Sequence, residues 1–257
     1  MNIPFAYGDK VLLIDNKQRR YLITLNEGGE FHSHTGFFAH SDLVGQLEGL
    51  VARSTKGTPY TALRPTLEDF VVVEMPRGAQ VIYPKDLAPI CMMGDIYPGV
   101  KVLESGVGSG ALSMTMLRWG AEIVGYELRE DFANRARTNV RSFLGEAALE
   151  RYRVELRDCY DGIDERDVDR VVLDLPEPWQ VVPHAMQALR PGGILIAYCP
   201  SIIQVSQLRE ALNSKAWNGT RSLEVLHRGW YLEGAAVRPD HRMVAHTGFL
   251  TVTRFLG

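Results

Sequence analysis

The stretch "VLESGVGSGALS", residues 102–113, decides how the chain is read. It opens as an apolar strand, turns through Gly106, Gly108 and Gly110, and resumes with apolar residues at helical spacing. Glycines at a strand-to-helix turn let backbone amides at the helix start approach a ligand closely, so a nucleotide-type cofactor is implied. Read through Ala111 as G-x-G-x-x-A, the loop also fits a dinucleotide fingerprint. Two details favour another ligand. Glu104 stands just ahead of the loop, where it would repel a pyrophosphate and attract an ammonium or a sulfonium. The last glycine also comes early, giving G-x-G-x-G.

Outward from this loop, strands alternate with helices. "VKVLESG", "AEIVGYEL", "YRVELRD", "VDRVVLDL" and "GGILIAYCP" read as strands, and "SGALSMTMLRWG", "REDFANRARTNVRSFLG" and "WQVVPHAMQALR" as helices. That alternation predicts an α/β fold with a parallel sheet covered by helices on both faces. A further helix, "IIQVSQLREALNS", precedes two strands without a helix between them, in "SLEVLHRGWYLEG" and "HRMVAHTGFLTVTRF", which predict an antiparallel closing pair. Upstream, "GDKVLLIDNKQRRYLITL" reads as a hairpin around "DNKQ", and glycine-broken pieces follow. The chain thus divides into a small β-rich unit over 1–77 and a larger α/β unit over 78–257.

The totals agree with this division. With 257 residues, 46% of them hydrophobic, the chain can bury a large core. No run approaches the roughly 18–20 apolar residues of a membrane span, so a cytoplasmic protein without membrane contact is expected. Cys91, Cys159 and Cys199 are too scattered for a disulfide framework and suit a reduced compartment. A net charge of −3 does not by itself call for nucleic acid, although residues 202–257 are locally basic.

Carboxylates recur at the predicted strand ends, where doubly wound sheets bind ligands. Glu127, in "YELRED", stands about 20 residues beyond the glycine loop, where a carboxylate can take both hydroxyls of a ribose. Asp158, in "ELRDCYDG", ends the next strand and would face the same ligand. Both also fit a plain helix-capping role. Asp174 ends the strand after that and leads "DLPEPW", whose prolines stiffen the loop and remove backbone donors, leaving a carboxylate and flat surfaces to hold a ring.

Taken in order, "QVIYPKD", "LESGVGSGALS", "YELRED", "DLPEPW", "AYCPS" with Gln204, and "RPDHRMVAHTGFL" resemble the tRNA (adenine-58-N1)-methyltransferases of the prokaryotic, homotetrameric type. "GDKVLLID" and "FHSHTGFFAHSDLVG" resemble that family's small N-terminal β domain. Ser105 departs from the alanine expected there.

The resemblance implies a Rossmann-like class I S-adenosylmethionine-dependent methyltransferase fold. It also implies transfer of a methyl group to N1 of adenine 58 in the T-loop of tRNA, a homotetramer, and an N-terminal domain that helps position the RNA. Glu104, Gly106, Gly108, Ser109, Gly110, Ala111, Glu127, Leu128, Arg129, Asp158, Cys159 and Asp174 would meet the cofactor. Asp174 would be catalytic, with Tyr83 and Tyr198 beside the base. Trp179 is equally suited to covering the core, and Gln204 to capping a helix. Arg238, His241, Arg242 and His246 suit either a phosphate or a subunit contact. His32, His34 and His40 lack the cysteine or carboxylate that would complete a metal site, so no metal is expected.

Overall fold

Five of the predicted strands align in parallel because the connection after each of the first four carries the chain back across the sheet, through a helix in three cases and with only a 3-10 turn, Cys159–Asp161, between the third and fourth. The structure, a computed structural model, describes residues 2–75, 78 and 80–257, and the elements counted here lie among them. The chain divides into two units, Met1–Met75 and Pro76–Gly257.

In the first unit, β1 (Lys10–Asp15) and β2 (Arg20–Thr24) form the predicted hairpin. Asp15 organises its turn by accepting from the backbone N–H groups of Lys17 and Arg19 and from the Arg19 guanidinium. A separate ladder joins β3 (Glu30–Ser33) to β4 (Gly36–Ala39), and β5 (Val51–Arg53) and β6 (Pro59–Leu63) complete a sheet of order β2-β1-β6-β5. Phe5, Val11, Leu13, Phe31, Phe38 and Tyr60 fill its core. The one-turn helix α1 (Leu67–Asp69), capped by Thr66, runs into a π-helical turn at Phe70–Glu74.

The second unit begins with α2 (Pro84–Met93), which the sequence reading does not anticipate. Pro84 suits the first helical position, whereas Pro89 inside the helix is a residue that argues against helix. Then follow β7 (Lys101–Ser105), α3 (Ala111–Arg118), β8 (Glu122–Glu127), α4 (Glu130–Leu144), β9 (Tyr152–Leu156), β10 (Val168–Leu173), α5 (Val182–Ala188), β11 (Leu189–Cys199) and α6 (Ile202–Ala211). Next come β12 (Trp217–Glu224), β13 (Trp230–Glu233), β14 (Ala236–Pro239) and β15 (Phe249–Phe255). The seven-stranded sheet has the order β12-β15-β11-β10-β7-β8-β9. Strands β7 to β11 are parallel, and β15 lies antiparallel between β11 and β12.

This topology confirms a Rossmann-like α/β fold and corrects one detail. The closing pair is real, but its first strand ends at Glu224 instead of continuing through residues 225–234. β15 begins at Phe249, opposite Glu224, so the edge strand runs out of partner there. The following residues pair with each other as the β13–β14 hairpin, which exposes Trp230, Leu232 and Val237. No helix among the described residues is long and apolar enough to cross a membrane.

Strand order reverses between β7 and β10, which brings the ends of these neighbours together at the switch point. Leu103, Val171, Leu173, Leu195 and Ala197 are fully buried, as expected of central strands covered on both faces. Arg170 is the exception in this apolar row. Its guanidinium donates to the carbonyls of Gly94, Asp95 and Asp169 and to the Asp95 carboxylate, tying the end of α2 to the sheet. Arg170→Ala would strand the buried Gly94 carbonyl. It should cost about 2 kcal/mol or more, read as a lower urea midpoint with an unchanged slope.

Candidate active site

The site is built where the loop after β7 meets the end of β10. Gly106, Gly108 and Gly110 all have positive φ, at 86°, 55° and 84°. Gly106 is further constrained by contact: a Cβ there would lie 2.0 Å from the Asp174 carbonyl oxygen. The Asp174 N–H in turn donates to the Ser105 carbonyl at 2.9 Å. Glycine at 106 is therefore what lets the β10 end close against the loop. Gly110 faces Ala136 of α4, which packs the loop from behind.

Three carboxylates surround this junction. Glu127, at the end of β8, accepts from the Gly108 N–H at 2.9 Å and from the Arg129 N–H at 3.0 Å. Glu104, 1% exposed, accepts from the Ser113 hydroxyl at 2.7 Å, while its buried Oε1 has no hydrogen-bond partner among the described residues. Burial, followed by the charges of Asp174 and Glu127, pushes its carboxyl up to about 8. Asp174 is half-buried, and its carboxylate has no hydrogen-bond partner among the described residues. Burial, then the charge of Glu127, pushes it up to about 7. An acid cluster in which one buried carboxylate oxygen has no hydrogen-bond partner among the described residues suits a positively charged ligand. The sulfonium and ammonium of S-adenosylmethionine match that requirement.

A pocket lined by Gln80, Val81, Ile82, the glycine loop, Ala111 and Asp174 opens here. A wider cleft, lined by Lys101, Glu122, Tyr152 and Arg166, lies at the opposite ends of the strands. The smaller pocket is the better candidate, because doubly wound sheets bind ligands beyond the carboxyl ends of their strands.

The other candidate residues are placed as follows. Ser109 and Ala111 are buried at the start of α3. Leu128 projects its side chain outward, 69% exposed. Arg129 reaches Glu127 through its backbone N–H, while its guanidinium pairs with Asp131 and lies over Phe132. Asp158 caps the turn Cys159–Asp161 by accepting from the Tyr160 N–H, realising the capping alternative with one of its oxygens. The Cys159 side chain packs into the core, and burial pushes its thiol up to about 11. Trp179 packs on the same core. Gln204 caps α6 through the Ser201 N–H and also donates to the Pro176 carbonyl at 2.7 Å, bracing the DLPEPW loop.

Tyr83 precedes α2 and is 37% exposed. Tyr198, near the end of β11, donates to the Thr247 carbonyl at 2.6 Å and packs against Gly248. Its phenol is pushed up to about 12, first by burial and then by nearby groups that include Asp86, Asp174 and Tyr83. The sequence reading missed what supports this pair. The fully buried Asp86 accepts from Lys85 at 2.9 Å and from the Thr247 hydroxyl at 2.6 Å, and Lys85 also donates to the Val225 carbonyl. The adjacent "KD" after Tyr83 and Pro84 was the available signal; its partners at 225 and 247 lie far away in sequence.

Of the histidines, His32 pairs with Glu30, His34 with Arg19, and buried His40 accepts from the Asn26 N–H. His246 bonds Glu224 and the Pro200 carbonyl.

Comparison with known proteins agrees with this geometry. The family described as tRNA methyltransferase complex GCD14 subunit matches residues 60–235, and the family described as TrmI-like N-terminal matches 4–52. The tRNA (adenine(58)-N(1))-methyltransferase TrmI of Thermus thermophilus is 37% identical, covering 97% of this chain and 98% of its own. Among solved structures, a SAM-dependent O-methyltransferase from Thermotoga maritima superposes with a TM-score of 0.92 at 30% identity, covering 98% of this chain and 95% of the other. The tRNA (m1A58) methyltransferase TrmI from Aquifex aeolicus gives 0.87 at 26% identity, covering 99% and 100%. These likenesses remove the dinucleotide alternative for the glycine loop.

Gly106→Ala tests the junction directly. A Cβ cannot fit against the Asp174 carbonyl, and the positive φ adds strain, so a loss of roughly 1–3 kcal/mol is expected in chemical unfolding.

Proposed function

The chain belongs to the tRNA (adenine-58-N1)-methyltransferase family, and from that membership we propose that it methylates N1 of adenine 58 in the T-loop of tRNA. The observation that carries the reading is the Asp174 carboxylate, half-buried and without a hydrogen-bond partner among the described residues, beside the glycine loop at the switch point of the sheet. Cofactor contacts are assigned to Glu104, Gly106, Gly108, Ser109, Gly110, Ala111, Glu127, Leu128, Arg129, Asp158, Cys159 and Asp174. For Cys159 and Arg129 the backbone is the contacting part, since their side chains are engaged elsewhere. When bound, S-adenosylmethionine supplies an electrophilic methyl group.

Neutral adenine already carries a lone pair at N1, so no proton must leave before attack. Asp174 accepts a hydrogen bond from the exocyclic amino group, orients the ring, and stabilises the positive charge that grows on the base. Tyr83 and Tyr198 offer flat surfaces for stacking, and the Lys85, Asp86 and Thr247 contacts hold them in place. The target adenine must leave its place in the tRNA fold to reach this pocket.

The small N-terminal domain, read over 1–77, is assigned to RNA positioning and subunit contact. A cytoplasmic homotetramer would gather the basic 202–257 segments of several copies around one tRNA, although each chain is slightly acidic. The exposed Trp230, Leu232 and Val237 of the β13–β14 hairpin support a subunit contact. A monomeric mass in solution would overturn the tetramer.

Incubation with labelled S-adenosylmethionine and unmodified tRNA transcript, followed by nucleoside mass analysis, should yield N1-methyladenosine that vanishes when position 58 is substituted. Label absent from tRNA while the cofactor still binds would refute this acceptor. Asp174→Ala should lower turnover roughly a hundredfold or more with cofactor affinity largely kept. Ionised Asp174 is the stronger acceptor and the form that stabilises the growing positive charge, and it is raised to about 7, so turnover should climb as pH rises through that region. A bound cation pulls this limb lower, and Asp174→Asn should abolish it.

A further inference from the structure

Behind the glycine loop, three buried side chains stand in line. The Tyr152 hydroxyl lies 3.0 Å from Ser113 Oγ, and Ser113 Oγ lies 2.7 Å from Glu104 Oε2. They come from β9, α3 and β7, and all are buried. Burial raises the Tyr152 phenol well above its ordinary value, so it keeps its proton and donates to Ser113. The Ser113 hydrogen is thereby directed to Glu104 Oε2, which accepts it. Oε1, the buried oxygen with no partner among the described residues, is left as the better seat for a proton on Glu104.

We propose that Tyr152 and Ser113 are positioning residues that leave Glu104 Oε1 as one seat contested by a proton and the cofactor's cationic group, so that cofactor capture expels one proton from Glu104. This rests on the cofactor role assigned to Glu104 above. In the step, the O–H bond on Oε1 breaks, the proton passes to solvent, and an ion pair takes its place; no electrons are exchanged.

The groups acting on Glu104 come from each neighbouring element. They are Ser113 of α3, Tyr152 of β9, Glu127 at the end of β8 and Asp174 at the end of β10. Glu104 in turn raises the Cys91 thiol of α2, already pushed to about 12 by burial, and that thiol does not titrate near neutrality. Arg137 of α4 bears on Tyr152. Asp174, raised to about 7, titrates alongside Glu104 and must be separated from it. The sign follows from Glu104 lying near 8: the free protein holds its proton below that pH, a cation displaces it, and affinity rises with pH toward that value.

Isothermal titration of the full chain with S-adenosylmethionine, in two buffers of different ionisation enthalpy, counts the proton. At about pH 6.5 the cofactor's α-amino group stays charged. With Asp174→Asn as background, close to one proton should be released, and adding Glu104→Gln should bring the count near zero. The neutral probe 5′-methylthioadenosine should release none. Cofactor-induced infrared difference spectra add a readout that a merely structural role would not move. The band of a protonated carboxyl should disappear on binding, be absent in Glu104→Gln, and be displaced in Ser113→Ala, where Oε2 loses its partner, and in Tyr152→Phe, where Ser113 is no longer held with its hydrogen on Oε2. Tyr152→Phe should also weaken binding about tenfold, equivalent to one pH unit of proton affinity on Glu104. A proton count untouched by Glu104→Gln, or a band that stays in place in Tyr152→Phe, overturns the proposal. Absence of any cofactor binding by the wild type would overturn this proposal and the cofactor reading together.

Discussion

The contact between Gly106 and the Asp174 carbonyl is the constraint on which the site depends. Two parallel neighbours, β7 and β10, end side by side, and their following loops diverge only after this touch. Any side chain at 106 would hold the β10 end away. With glycine there, the Asp174 N–H reaches the Ser105 carbonyl, and the carboxylate is delivered beside the backbone amides of the glycine loop. One missing Cβ therefore joins the element that cradles a ligand to the element that would act on it.

Charge follows from that closure. Bringing the ends of β7, β8 and β10 together places Glu104, Glu127 and Asp174 around one small volume, where the charge of Glu127 disfavours ionisation of Glu104 and Asp174, and that of Asp174 disfavours ionisation of Glu104. Glu127 is partly relieved by two backbone N–H groups and Glu104 by one hydroxyl, while Asp174 has neither. The site thus concentrates acid, which a cationic ligand would balance. A second network, running from Lys85 through Asp86 and Thr247, steadies Tyr198 without adding to that acid load. Its buried Lys85 and Asp86 are paired, so their charges are balanced locally.

Much of this was legible in the amino-acid sequence, because strand and helix periodicity, glycine spacing and acids at strand ends are local signals. Residues 101–199 announced a parallel α/β sheet, and Glu104, the three loop glycines, Glu127 and Asp174 stood out by position alone. Where local signals conflicted, the reading fell short. Pro89 hid the helix α2, and the apolar content of 225–234 suggested a strand that the sheet has no partner to hold. Asp158 and Gln204 were ambiguous between binding and capping because both roles use the same atoms in the same short span.

By itself, the sequence determined the alternation of elements, the flexible turn at 106–110, and which carboxylates stand at strand ends. Only the tertiary structure decided that Tyr152, 39 residues beyond Ser113, would close a hydrogen-bond chain onto Glu104, and that Thr247 would meet Asp86 across 161 positions. Such pairings depend on strand order and on which faces pack together, quantities set by the whole sheet and not by any window of sequence.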